Sequence, residues 1–146
     1  MQACPISFYR QLHPMAEFSG KEENTARFIA KTLESMGVET QAGVGGTGVV
    51  ATIRGKESGP VVLFRADMDA LPYSTQDGGV VAIHACGHDS HCAMLLAAVP
   101  QFKEIVKRGT LKVDVSVYDI RLDLLWGIDW KTDWQYLWDE SVYGPV

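Results

Sequence analysis

The window His84-Ala-Cys-Gly-His-Asp-Ser-His-Cys92 concentrates three imidazoles, two thiols and a carboxylate into nine residues. Thiolate and imidazole nitrogen are the ligands that Zn²⁺ and other borderline divalent ions select. Cys86 and His88 are the pair whose spacing suits one ion, and Gly87 between them permits a sharp turn and a close backbone approach. A structural zinc site spaces its ligand pairs further apart and closes all four positions with protein atoms. A site assembled from this window and a second loop would leave a position open, as metal-assisted catalysis requires. The second loop is Arg65-Ala-Asp-Met-Asp69, where two carboxylates follow an apolar run. Residues two apart in an extended segment share a face, which suits carboxylates that orient metal ligands. An acid–base dyad is the other chemistry that Asp67 and Asp69 could perform. Each residue also has a plainer role: His84 as a loop histidine, Cys92 as a small core residue, Asp69 as a turn cap.

Several elements must position these groups. Ser19-Gly-Lys-Glu22 has the form of a capping box ahead of an amphipathic helix. Ala26, Ile29, Ala30, Leu33 and Met36 supply its apolar face, and Gly37 its stop. A short strand is expected over 38–41. The Gly43–Gly48 segment lacks a Gly-Lys-Ser/Thr ending and precedes the strand-like Val49–Ile53, so it reads as a turn rather than a phosphate cradle. Val61–Phe64 is a continuous apolar run suited to a strand buried on both faces, with Asp67 and Asp69 at its carboxyl end. Residues 72–83 read as loop. Asp89 or Ser90 would cap a second helix, which Pro100 should kink or end before it resumes over 102–108. A last strand follows over 112–118. Helices interspersed with strands predict an α/β fold.

Composition divides the chain. Of 146 residues, those from 1 to 112 carry 11 basic and 11 acidic side chains, whereas 113–146 carry 2 and 7, so the net charge of −5 belongs to the tail. That tail also holds Trp126, Trp130, Trp134 and Trp138 at every fourth position, a stripe suited to a core-facing or partner-facing helix. An acidic balance without a basic patch argues against nucleic acid as a partner. The longest apolar run, Ala93–Val99, is too short to span a bilayer. Three cysteines make no disulfide framework, and the N-terminus lacks the pattern of a secretory signal, so a cytoplasmic location is expected.

Arg65-Ala-Asp-Met-Asp-Ala-Leu-Pro72 and His84-Ala-Cys-Gly-His-Asp89 resemble the two N-terminal signatures of the metal-dependent amidohydrolases. That metallopeptidase family includes hippurate hydrolases, aminoacylase-like enzymes and auxin-conjugate hydrolases. Leu12-His13, Glu17–Glu22, Thr25-Ala26 and Gly45–Val50 resemble it in the same order, so the likeness covers about residues 8–112. It implies a zinc-exopeptidase-like α/β catalytic domain with a mainly parallel or mixed sheet flanked by helices. It also implies hydrolysis of N-acyl amino acids or similar small amides by a metal-activated water. The implied cofactor is a pair of divalent ions, Mn²⁺ or Zn²⁺ with Co²⁺ or Ni²⁺ as alternatives. By motif, Cys86 and His88 would be metal ligands and Asp69 the supporting carboxylate of the catalytic site.

The chain departs from the family after Gly109. Val117-Tyr-Asp-Ile-Arg121 stands where the family has Gln-Pro-Ala-Glu-Glu, no Glu-Glu pair follows Glu23, and no histidine follows His91. The expectation is therefore residues 1–112 as the N-terminal part of an amidohydrolase catalytic domain, without the lid or dimerisation domain, and 113–146 as a divergent acidic, Trp-rich tail. Such a truncated chain should be inactive alone, since the missing general base is typically worth about 10²–10⁴-fold. The alternative function is a non-catalytic metal-binding or protein-interaction module, associating with itself or a partner through the aromatic tail.

Overall fold

The computed structural model describes residues 4–55, 61–108 and 114–118. The Trp stripe and the rest of the tail beyond Tyr118 lie outside the described residues. Pro5 opens α1 (Pro5–Leu12), where its missing N–H costs nothing, and one turn of 3-10 helix (His13–Met15) extends it. The amphipathic pattern forms α2 (Glu23–Ser35), burying Thr25, Ala26, Ile29, Ala30 and Leu33. Two strands, β1 (Glu39–Val44) and β2 (Gly48–Ile53), form an antiparallel hairpin. Its turn contains Gly45 and Gly46 with φ of 62° and 114°, a conformation that glycine adopts without strain.

β3 (Val61–Arg65) lies at one edge of a four-stranded sheet of order β1-β2-β6-β3. The last strand, β6 (Asp114–Tyr118), runs parallel to β3 and antiparallel to β2, so the sheet is mixed. The edge position corrects the expectation of burial on both faces: Val62 and Leu63 are 39% and 46% exposed. A second correction falls on 72–83, which is not simply loop. Leu71–Ser74 (β4) and Val80–Ile83 (β5) pair as a small antiparallel sheet around Asp77-Gly78-Gly79. Both strands have four residues and an exposed β4, so no inward-facing period marks them in the sequence.

α3 (His88–Arg108) continues through Pro100 instead of ending there. Its flanks hold it: Val99 is 1% exposed in the core, and Phe102 stacks on Phe64 of β3 with ring centroids 4.4 Å apart. Burial of Leu96, Val99 and Val106 outweighs the hydrogen bond that proline removes. The α2 C-terminus is held by Lys103, whose ammonium donates to the carbonyls of Met36 and Gly37.

The capping box takes a different form from that expected. Helix α2 starts at Glu23, and the side chain that meets its open N–H groups belongs to Glu17. Glu17 accepts from Asn24 N at 3.1 Å, Thr25 N at 2.9 Å and Thr25 Oγ1 at 2.9 Å. Glu22 is instead buried, accepting from Gly20 N and Thr47 Oγ1, both at 2.6 Å. Partial burial would raise the Glu17 pKa, but the hydrogen bonds from Thr25 and Asn24 outweigh it and hold the carboxyl below its ordinary value of 4.5. A depressed carboxylate pKa contributes stability that is complete above the unfolded value and is lost as pH falls through the folded one. Glu17→Gln should therefore cost about 0.5–2 kcal/mol at neutral pH. In urea titrations that difference should shrink as pH falls below the ordinary carboxylate value. A gap that stays constant with pH would remove the ionised cap from the explanation.

Candidate functional site

β3 delivers the first half of the site. Beyond Arg65 the chain stays extended, with Ala66, Met68 and Ala70 buried and Asp67 and Asp69 between them facing outward. The alternation inferred from the sequence thus persists past the strand, but the two carboxylates find separate partners. Asp67 pairs with Arg65, while Asp69 Oδ1 lies 2.8 Å from His88 Nδ1. No contact pairs the two carboxylates with each other among the described residues.

The second half is the start of α3. Gly87 adopts φ of 84°, and its carbonyl accepts from Ser90 N at 3.0 Å and His91 N at 3.1 Å, opening the helix one residue before Asp89. A side chain at this φ would be strained, so glycine is required between Cys86 and His88. Cys86 is exposed in the loop before the helix, and its partner in spacing, His88, is largely buried. Buried Cys92 donates its thiol to the Asp67 carbonyl at 3.2 Å, fastening α3 to the carboxylate segment. It is the core residue its position suggested. The Ala70 N–H donates to the Glu17 carbonyl at 2.8 Å, fastening the same segment to the base of α2.

His88 has a determined tautomer. Its Nδ1 faces the Asp69 carboxylate and, at 3.1 Å, the Asp69 carbonyl, both acceptors. Nδ1 therefore carries a proton, and in the neutral ring Nε2 keeps its lone pair. A carboxylate behind an imidazole fixes the ring and raises the basicity of the far nitrogen, the arrangement that supports metal-bound histidines.

A second carboxylate–imidazole pair was not read from the sequence. His13 Nδ1 lies 2.6 Å from Asp89 Oδ2, and Asp89 is 2% exposed. The residues are 76 positions apart, and only the fold joins the end of α1 to the first turn of α3. Between the two pairs sits His84, which is not a satisfied loop histidine: both ring nitrogens are buried and neither has a hydrogen-bond partner. Burial pushes its pKa down; Asp89 opposes this, and His13 and His88 reinforce it. Among the described residues, no three His, Cys, Asp or Glu side chains converge closely enough to cage one ion. No helix of the described residues is long and apolar enough to cross a membrane.

An edge strand ending in carboxylates, followed by a Gly-turned histidine helix on a mixed sheet, makes this an α/β arrangement. The model of Peptidase family M20/M25/M40 matches residues 63–118. Thermostable carboxypeptidase 1 of Saccharolobus solfataricus is 47% identical over 100 residues, covering 62% of this chain and 25% of that protein. N-acyl-L-amino acid amidohydrolase of Geobacillus stearothermophilus is 41% identical over 108 residues, 68% of this chain and 29% of that one. A dinuclear metal binding peptidase of the M20 family from Bacillus subtilis superposes with a TM-score of 0.69 at 34% identity, covering 80% of this chain and 34% of that structure. Residues 63–118 thus match the model of this metallopeptidase family, and over about 100 residues the chain is similar to an amidohydrolase and a carboxypeptidase. The chain spans between a quarter and a third of the length of these relatives.

Proposed function

We propose that this chain carries the N-terminal half of an amidohydrolase metal site, acting on N-acyl amino acids or similar small amides. The observation that carries the reading is the Asp69–His88 contact, which leaves Nε2 of His88 free two residues after the exposed thiol of Cys86. His88 and Cys86 would hold a divalent ion, and Asp69 would orient His88 without touching the ion. Imidazole and thiolate are the donors offered to Zn²⁺ or Mn²⁺, with Co²⁺ or Ni²⁺ as alternatives. When bound, such an ion supplies Lewis acidity and lowers the pKa of water. The catalytic-domain part expected over residues 1–112 continues through β6 (Asp114–Tyr118), which pairs with β2 and β3, and the tail follows it; the three free thiols suit a cytoplasmic setting.

Two protein ligands fall short of the usual four, which agrees with the lack of a three-residue cage among the described residues. The chain alone should bind an ion through Cys86 yet hydrolyse amides near the background rate, because its sequence lacks the Glu-Glu pair that would supply the general base. Cobalt titration tests this. A thiolate-to-Co²⁺ absorption band should appear with the unmodified chain and vanish in Cys86→Ser, while release of free amino acid from N-acetyl amino acids stays at background. A chain without the band has no Cys86 site. Rapid hydrolysis lost in Cys86→Ser would show that the chain is a complete catalyst.

A further inference from the structure

We infer that His13 is a positioning residue for the candidate metal site, holding the first turn of α3 in place through the buried Asp89 carboxylate. The role rests on the Cys86–His88 reading and extends it to the end of α1, 76 positions from Asp89 in sequence. Asp89 is 2% exposed, and both of its oxygens are engaged. Oδ1 accepts from Ser90 N at 2.9 Å, inside the same turn, and Oδ2 faces Nδ1 of His13 at 2.6 Å. Among the described residues, His13 is thus the hydrogen-bond partner that ties Asp89 to an element other than α3. A carboxylate withdrawn from water and stripped of one partner carries a large penalty, so the buried acid holds α1 and α3 together at this point.

The geometry connects this contact to His88. His88 and Asp89 are consecutive residues of α3, where side chains leave the axis about 100° apart. The His88 ring goes to Asp69 Oδ1 at 2.8 Å, and the Asp89 carboxylate goes to His13. The turn is therefore clamped twice, once by an acid beyond β3 on a ring of the helix and once by an acid of the helix on a ring of α1's end. Its backbone is the segment that Gly87 opens by accepting from Ser90 N and His91 N. Without His13, Asp89 reaches water only by moving that turn, which shifts His88 Nε2 relative to Cys86. A ligand set keeps its affinity while its supporting shell holds it to within about 0.5 Å. Tyr9, one turn earlier on α1, tilts against the His13 ring with centroids 5.0 Å apart and steadies it. The His13 side chain is 52% exposed, so replacing it removes the contact to Asp89 without emptying the core.

Cobalt binding by the full chain tests the role, read from the thiolate-to-Co²⁺ band of Cys86. His13→Leu should weaken that binding by about tenfold, the low end of the cost of losing an outer-shell partner. His13→Asn, whose amide nitrogen can stand where Nδ1 stands, should recover most of the affinity. In the metal-free chain, His13→Leu should also shift the ring ¹⁵N signals of His88, and His13→Asn should restore them. A residue that merely stabilises the fold would lower the urea midpoint and leave both the affinity of the folded protein and the His88 signals unmoved. Should His13→Leu fail to fold, His13→Leu/Asp89→Asn removes the buried charge together with its partner and should show the same loss of affinity. Unchanged affinity in the folded Leu variant, or no recovery in His13→Asn, overturns the role and leaves the Cys86–His88 site standing. An unmodified chain without the band removes that site and this role together.

Discussion

Asp69→Asn is expected to weaken zinc binding at Cys86 and His88 by about 10- to 100-fold, the usual cost of losing a carboxylate behind a metal-bound histidine. Asp69 Oδ1 accepts from His88 Nδ1 at 2.8 Å and so keeps the proton on the nitrogen that faces away from the ion. An amide at this position carries no charge to raise the basicity of Nε2. If its NH₂ turns toward the ring, the tautomer reverses and the proton moves to Nε2, where it blocks the ligand. The Asp69 carbonyl, 3.1 Å from Nδ1, is unchanged by the substitution, so the ring should keep most of its orientation. Competition against a chromophoric chelator measures the affinity, and urea unfolding of the metal-free protein controls for stability. Equal affinity in the variant would mean that the carboxylate does not support the site.

Met68→Ala should act on the same segment by a different route, destabilising the fold by about 2–5 kcal/mol. Met68 is 2% exposed and belongs to the core cluster with Leu12, Leu33, Val49, Leu96 and Val99. Truncating it removes apolar burial and leaves a cavity directly between Asp67 and Asp69. Stability and metal affinity should then fall together, whereas Asp69→Asn should reduce affinity with stability nearly unchanged. Denaturant titrations on both variants separate the two effects. A loss below about 1 kcal/mol for Met68→Ala would mean that the surrounding core collapses into the gap or that hydrogen bonds anchor the segment.

Much of the fold is legible because local signals match it. The α2 face repeats at helical spacing, the Gly45-Gly46 turn sits between two strand-like runs, and Ala66, Met68 and Ala70 alternate with Asp67 and Asp69. The β4–β5 pair is not legible in this way, because a four-residue exposed strand leaves no apolar period. Pro100 misleads for another reason: its local cost is real, but Val99 and the Phe64–Phe102 stack outweigh it in the assembled core. Glu17 escapes the capping pattern because it lies two residues upstream of Ser19, where only the folded path of the loop brings it to the Asn24 and Thr25 amides.

The candidate site divides along the same line. Residue type and spacing within nine positions were enough to single out Cys86 and His88, since coordination chemistry acts over short stretches, whereas Asp67 and Asp69 share one outward face and only the resemblance to the family signature singled out Asp69. Which nitrogen of His88 is protonated, which carboxylate stands behind it, and that His13 meets Asp89 beside an unpartnered His84 were decided by the tertiary structure alone. Those contacts join residues 19 and 76 positions apart. Only the packing of α1 and the carboxylate segment against α3 brings them within hydrogen-bonding distance, and no local pattern in the chain encodes a contact of that range.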